Sequence, residues 1–260
     1  MIQTKETQRE ERVVRIGALA DLHCSKSSRG QFQPLLMQAV EAADVLLLGG
    51  DLTDYGLPEE AEVLAGELSG VKVPVIAVLG NHDYESGKQD EVRQVLAHAG
   101  VRLLDGDAWE VLGVGIAGAK GFAGGFGRGT LGAWGEDIVK RFVHEAVDEA
   151  LKLESALARL RTPQRIALLH YAPIEATVEG EPREIFPYLG CGRLAEPLRR
   201  YPVTAVFHGH AHRGSPEGKI GDNIPVYNVS LPLLRRLWPD RPPLRVIEIA
   251  VPAAAESERT

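Results

Sequence analysis

Apolar residues fall into two rhythms along the chain. Short runs of valine, isoleucine and leucine bounded by turn residues, Val13 to Ala20, Val45 to Gly49, Val75 to Gly80, Arg165 to Leu169 and Ala205 to Phe207, predict buried strands. Between the early runs the spacing changes to three and four. Phe32 to Ala43, the stretch opening at Pro58 with Ala61, Leu64, Ala65 and Leu68, and Asp90 to Ala99 each read as a helix. Pro58 suits a first helical turn, where its missing donor would have no partner anyway. Strand alternating with helix is the pattern of a parallel α/β half.

After Val101 the pattern shifts. Trp109 to Leu112 and Val114 to Gly118 predict a hairpin joined at Gly113, and glycines at 118, 121, 124, 125, 127, 129, 132 and 135 follow. They do not link a strand to a helix as a phosphate-cradling fingerprint requires, so a mobile surface loop, open to a lid role, is expected. Glu136 to Arg161 carries Ile138, Phe142, Val143, Ala146, Val147, Ala150, Leu153, Leu157 and Leu160 on one stripe, which predicts a long amphipathic helix packed on its own sheet. His98 and His144 lie in helices with no motif around them and are read as structural or exposed. A proline-rich turn, Trp238 to Pro243, precedes a final strand, Leu244 to Val251. No repeat or linker divides the chain, so one domain over 1–260 is expected, with flexible tails at 1–12 and 252–260.

Composition narrows the class. With 29 basic and 36 acidic side chains the formal charge is −7, against the basic surface a stable nucleic-acid binder needs. Forty-four per cent hydrophobic residues in 260 suffice for a sizeable core, which excludes disorder. Two cysteines, Cys24 and Cys191, fit a reducing compartment better than a disulfide framework. The charged stretch Met1 to Arg12 lacks the apolar core of a signal peptide and no run reaches a membrane span, so a cytoplasmic protein with no membrane partner is expected.

The chemistry lies where the strands end. The first run leads into Asp21-Leu22-His23, the second into Gly50-Asp51, the third into Gly80-Asn81-His82-Asp83, the fourth into His170, and the fifth into His208-Gly209-His210-Ala211-His212. Six of the eight histidines lie there. Carboxyl ends of parallel strands face one side of a sheet, so these residues can meet although far apart in sequence. Singly, each would be a turn or a cap; together, in order, they point to a metal site.

Asp21-x-His23, Gly50-Asp51, Gly80-Asn81-His82-Asp83, His170 and Gly209-His210-x-His212 resemble the five-block signature of the calcineurin-like metallophosphoesterases, over roughly residues 13 to 230. The resemblance implies an α/β fold of the four-layer αββα sandwich type and a two-metal centre. One metal would be held by Asp21, His23, the bridging Asp51 and His212, the other by Asp51, Asn81, His170 and His210. Imidazoles, carboxylates and an amide without thiolate suit Mn, Fe or Zn, with Mn and Fe favoured. Glycines 50, 80 and 209 would let the backbone turn beside each ligand. Two divalent cations against two carboxylates and a hydroxide leave a positive face for a phosphoryl group. Such centres, with metals about 3.5–4 Å apart, hydrolyse phosphoesters by in-line attack of a bridging hydroxide. His82 would contact the phosphate and protonate the leaving oxygen, and Asp54 would hydrogen-bond His82 and hold it charged and oriented.

Weaker readings surround these. Cys24 either lines the site or is a small buried residue. His208 either hydrogen-bonds a ligand from behind or is a satisfied core histidine. Asp83 reads as a loop-stabilising carboxylate, and Tyr227-Asn228-Val229-Ser230 as a strand that shores up the ligand loops. Tyr55 and Leu79 stand where the resembling phosphoprotein phosphatases carry arginines, against a protein phosphatase. The chain has neither the extra histidine nor the room for a cap that Mre11-like nucleases need. The pattern resembles compact bacterial phosphodiesterases of the cyclic-nucleotide type, acting on a small-molecule phosphoester. A phosphomonoesterase and a non-catalytic metal-binding interaction module are the alternatives on the same scaffold. A metal-dependent amidohydrolase fits less, because its first strand ends in His-x-His.

Overall fold

The structure, a computed structural model, describes residues 11–252. Eleven strands form two sheets. The first has β1 (Glu11–Leu19), β2 (Val45–Gly49), β3 (Val75–Val78), β4 (Val101–Leu103) and β11 (Arg245–Pro252) in the order β11-β1-β2-β3-β4. The second has β5 (Asp107–Val111), β6 (Val114–Gly118), β7 (Gln164–Leu168), β8 (Ala205–His208), β9 (Glu217–Ile220) and β10 (Ile224–Asn228) in the order β5-β6-β7-β8-β10-β9. The helices are α1 (Gln33–Ala42), α2 (Pro58–Leu68), α3 (Gln89–His98), α4 (Asp137–Arg159), α5 (Phe186–Leu189), α6 (Ala195–Arg200) and α7 (Leu231–Leu237).

Strands β1 to β4 are parallel neighbours in chain order, so same-handed crossovers place α1 to α3 on one face and leave the other free. The second sheet repeats this with β6, β7 and β8, covered by α4 and α6. The free faces pack on each other, which gives the expected αββα sandwich. Alternation inside each run sorts the side chains. Val45, Leu47, Ile76 and Val78 meet Ile116, Ile166, Leu168 and Phe207 between the sheets. Leu46, Leu48, Ala77 and Leu79 turn to α1, α2 and α3. Strands buried on both faces read as unbroken apolar runs, as these do.

Helices α1 to α4 and the long strands fall within a residue or two of expectation, while α5, α6 and α7 were not expected. The expected flexible tails lie outside the described residues except for Glu11, Arg12 and Pro252, which are paired: Glu11 stands opposite Pro252 and Arg12 opposite Val251. The glycine-rich segment departs from the expected free loop. Gly124 N–H donates to Pro187 O (2.7 Å), Gly125 N–H to Gly190 O (2.9 Å) and Gly192 N–H to Gly125 O (3.0 Å), so residues 186–192 hold it down. Helix α1 has no side-chain cap of its own. Glu67 of α2, buried, accepts from the main-chain N–H groups of Gly30 (2.5 Å), Phe32 (2.9 Å) and Gln33 (2.9 Å) and caps it from outside. Among the described residues no helix is long and apolar enough to cross a membrane.

Candidate metal centre

All five sequence blocks meet at the shared carboxyl edge of the two sheets, three from the first sheet and two from the second. Beyond the ends of β1 and β2 the chains stay hydrogen-bonded: Asp21 N–H donates to Gly50 O (2.9 Å), His23 N–H to Asp51 O (2.9 Å) and Asp54 N–H to Cys24 O (3.1 Å). Asp83, completely buried, joins the second and third blocks. It accepts from Leu52 N–H (3.2 Å), Thr53 N–H (2.8 Å), Thr53 Oγ1 (2.6 Å) and Gly80 N–H (2.8 Å), as a loop-stabilising carboxylate should. The sheets are tied across the gap by His170 Nδ1, which donates to Gly49 O (2.9 Å), and by His210 N–H, which donates to the Asp21 carboxylate (3.0 Å).

Three groups of donor atoms result, Asp21 with His23 and His212, Asp51 with His170 and His210, and, at the rim, His23 with Asp54 and His82; within each group all lie within 4.8 Å of one another, and the first two contain the expected ligands. His212 Nε2 is 3.1 Å from Asp21 Oδ1, His23 Nε2 is 3.8 Å from Asp51 Oδ2, and His170 Nε2 is 3.4 Å from Asp51 Oδ1. The Asn81 amide oxygen faces the second group, 2.9 Å from His170 Nε2. Asp51 therefore stands between the first two groups, in contact with a histidine of each. Among the described residues five that are not glycine have positive φ, and four of them are Asp21 (59°), His23 (46°), Asp51 (48°) and His210 (70°). Such conformations cost of order 1–3 kcal/mol each and persist where surrounding structure imposes them.

Of the three glycines expected to turn the chain, only Gly50, at φ +88°, is left-handed. Gly80 and Gly209 are needed for a different reason. A Cβ on Gly80 would meet the Asp51 carboxylate and the His170 ring, and one on Gly209 would meet Asp21.

The residues present fit a pair of metal ions. His23 Nε2 is buried without a hydrogen-bond partner among the described residues, as a donor atom waiting for a ligand would be. Burial disfavours charge on His210, and the neighbouring His170 adds to this, so its pKa falls to about 4; burial also lowers His23. Both favour the neutral form that ligates. Burial opposes ionisation of Asp51, but the charge and hydrogen bond of His170 outweigh it and hold the carboxyl well below its usual range. The same pair pushes His170 up to about 9 despite burial, so His170 must release a proton to become a ligand. No thiolate takes part. The Cys24 thiol lies in the core, and burial together with Glu67 and Glu60 pushes it up to about 12.

Residues 14–214 match the family described as calcineurin-like phosphoesterase. The chain belongs to this family. The calcineurin-like phosphoesterases are typically dinuclear metal enzymes, which makes a phosphoester hydrolase the supported class for the chain. No curated protein matches it by sequence. Among solved structures it is similar to the phosphopantetheinyl hydrolase PptH of Mycobacterium tuberculosis, with 16% identity over 89% of this chain and 95% of that one and a TM-score of 0.64. It also resembles GAP50, the anchor in the inner membrane complex of Plasmodium, with 12% identity over 85% and 72% and a TM-score of 0.53. A Staphylococcus aureus protein assigned as a 5′-nucleotidase shares 16% identity over 84% of this chain and 48% of that one, with a TM-score of 0.52. At these identities the likeness is one of fold.

The residues around this phosphoesterase centre refine the sequence reading. His82 stands at the rim with its ring 4.5 Å from that of His23. Its Nδ1 lies 2.6 Å from the main-chain carbonyl of Asp54, not from the carboxylate the sequence reading assigned to it. The Asp54 carboxylate is instead 3.5 Å from His23 Nδ1. A residue number carries no information on which of its oxygens faces a neighbour. His208 is a satisfied core histidine: Gly209 O (2.8 Å) and Thr177 Oγ1 (2.8 Å) take its nitrogens, and burial lowers its pKa to about 4. Asn228 braces the last block through Nδ2–H to Ala211 O (2.7 Å), the buttress expected of the 227–230 strand. Sequence reasoning placed Tyr171 and Thr177 only in a loop, 171–189, expected to set substrate identity, and missed that the Tyr171 ring lies 4.5 Å from that of His210 and that Thr177 bonds His208. Tyr171 directly follows a block histidine, a signal that was available; Thr177 carried none.

Proposed function

We propose that the protein is a dinuclear-metal-dependent phosphodiesterase for small-molecule phosphoesters. The observation that carries this reading is the convergence of two carboxylate–imidazole groups on Asp51, with His82 beside them at the rim. Asp21, His23, Asp51 and His212 would hold one metal, and Asp51, Asn81, His170 and His210 the other. Bound metals would supply Lewis acidity to the phosphoryl oxygens and lower the pKa of the attacking water.

The chain's own groups do the rest. The Asp54 carbonyl can only accept, so it keeps the proton of His82 on Nδ1 and leaves Nε2 as the atom that exchanges a proton with substrate. Protonated at both nitrogens, His82 delivers the Nε2 proton to the departing alkoxide as its bond to phosphorus breaks and the bond from water forms. General acid help of this kind is worth about 10²–10⁴ in rate. The diester is favoured over the dianionic monoester because Tyr55 and Leu79 occupy positions where arginine would add positive charge, and Leu79 is buried in the core.

The test is metal analysis of purified protein beside kcat/KM for bis-4-nitrophenyl phosphate and 4-nitrophenyl phosphate, with Mn²⁺ restored after chelation. Two equivalents of metal and preference for the diester are expected, with His82→Ala keeping its metal and losing rate. Preference for the monoester overturns the diesterase assignment, and metal uptake without turnover of either ester overturns the enzymatic one.

A further inference from the structure

The glycine-rich segment places Ala119, Ala123 and Phe126 in the apolar cores, but most of its remaining residues belong to neither these cores nor the metal centre. Besides its bonds to residues 187–192 it closes on itself through Leu131 N–H to Gly124 O (2.8 Å), and the Arg193 guanidinium donates to Leu131 O (2.9 Å). Held in this way, it walls a cavity of about 370 Å³ against the start of α4 and the end of α5. The volume is that of a small-molecule site, where about 300–1,000 Å³ is usual. Gly124, Leu131, Ile138, Val139, Phe142 and Tyr188 line it, and no charged side chain does among the described residues. Ile138 and Tyr188 remain 64% and 62% exposed, an apolar surface that folding leaves wet.

The cavity shares a wall with the metal centre. Tyr188, which lines it, has its main-chain carbonyl 3.2 Å from Nε2 of His210. A row of rings leads the same way: Phe142 to Phe122 at 4.9 Å, Phe122 to Tyr171 at 5.9 Å, and Tyr171 to His210 at 4.5 Å. A molecule anchored by a phosphoryl group at the centre would therefore find an apolar slot one residue away.

We propose that this cavity receives the organic group of the substrate, so that the substrates are phosphoesters of apolar alcohols, with an alkyl chain or aryl ring on the side of His210. The proposal rests on the phosphoesterase reading and adds the substrate class. It also gives the glycine-rich segment a function: a rigid wall that sets specificity.

The experiment measures binding of n-alkylphosphonates, methyl to hexyl, to Mn²⁺-loaded protein by calorimetry, and their inhibition of bis-4-nitrophenyl phosphate hydrolysis. Wild type, Ile138→Glu and Ile138→Ala are compared; Ile138 is exposed, and equal melting temperatures confirm folding. Each methylene buried should tighten binding about fourfold, competitively with substrate. The dependence on chain length should vanish in Ile138→Glu and weaken in Ile138→Ala. If esters turn over and phosphonates compete, but hexyl binds no better than methyl, the pocket assignment is overturned and the phosphoesterase reading stands. If affinity grows with chain length and no ester is hydrolysed, the catalytic reading falls and the substrate class with it. Absence of both phosphonate binding and turnover overturns the two together.

Discussion

Replacing Gly50 by alanine tests how closely the centre is built. A Cβ there would lie 2.5 Å from Nδ1, 2.7 Å from Cγ and 2.8 Å from Cβ of His170. The ring would have to retreat by roughly 0.8 Å to reach an ordinary carbon contact of about 3.5 Å. It has no space to do so, being completely buried, and retreat would break its 2.9 Å hydrogen bond to Gly49 O. Crowding costs about 1–3 kcal/mol, the lost buried bond a similar amount, and the left-handed backbone about 1–2 kcal/mol more, together about 3–8 kcal/mol. For a chain of this size that lowers Tm by about 10 °C or more. Gly87→Ala is the control: its φ is +71° but no atom lies within 4 Å of the added Cβ, so only backbone strain remains. Thermal melts of the metal-free variants should place Gly50→Ala well below Gly87→Ala, and metal analysis should show Gly50→Ala taking up less of the ion that His170 is proposed to hold. Equal melting and equal metal uptake in the two variants would refute the close-approach argument.

Asp54→Ala should leave kcat at saturating Mn²⁺ within about tenfold of wild type, because the carbonyl that holds His82 survives, while metal affinity falls about 10–100-fold with the loss of the carboxylate beside His23. A loss of about 10³ at saturating metal would instead assign the carboxylate to His82. Glu67→Ala strands three N–H groups at the start of α1 and should cost about 2–4 kcal/mol in urea unfolding with kcat unchanged; unaltered stability would sink the external-cap reading. The folded pKa of His208, about 4, lies below its unfolded value near 6.5, so its contribution is complete above pH 6.5 and is lost as pH falls toward 4. Relative to His208→Gln, metal-free wild type should lose about 3 kcal/mol of stability across that window; a constant difference contradicts the assignment.

Not every element was legible along the chain. Strand β4 has three residues, too few to show alternation, and β9, Glu-Gly-Lys-Ile, is held by its pairing to β10 rather than by its own pattern. Helix α6 hides behind Pro197 within six residues. The glycine-rich segment looked free because the residues that fasten it to the body of the protein, Pro187 and Gly190, lie some sixty residues later.

What the amino-acid order determined alone was the long strands, the four long helices α1 to α4, and the donor residues at each strand end. These are local properties: a period of two or of 3.6, and a turn directly after a run. Tertiary structure decided what no local pattern can carry. Two sheets, each apolar on both faces, pack so that Asp51 meets His170, 119 positions away, and Asp21 meets His212 across the gap. It also decided which oxygen of Asp54 faces His82, and that residues 118–135 wall a cavity instead of waving over the site. Those outcomes depend on contacts between segments distant in sequence, whose geometry exists only once the layers have closed on each other.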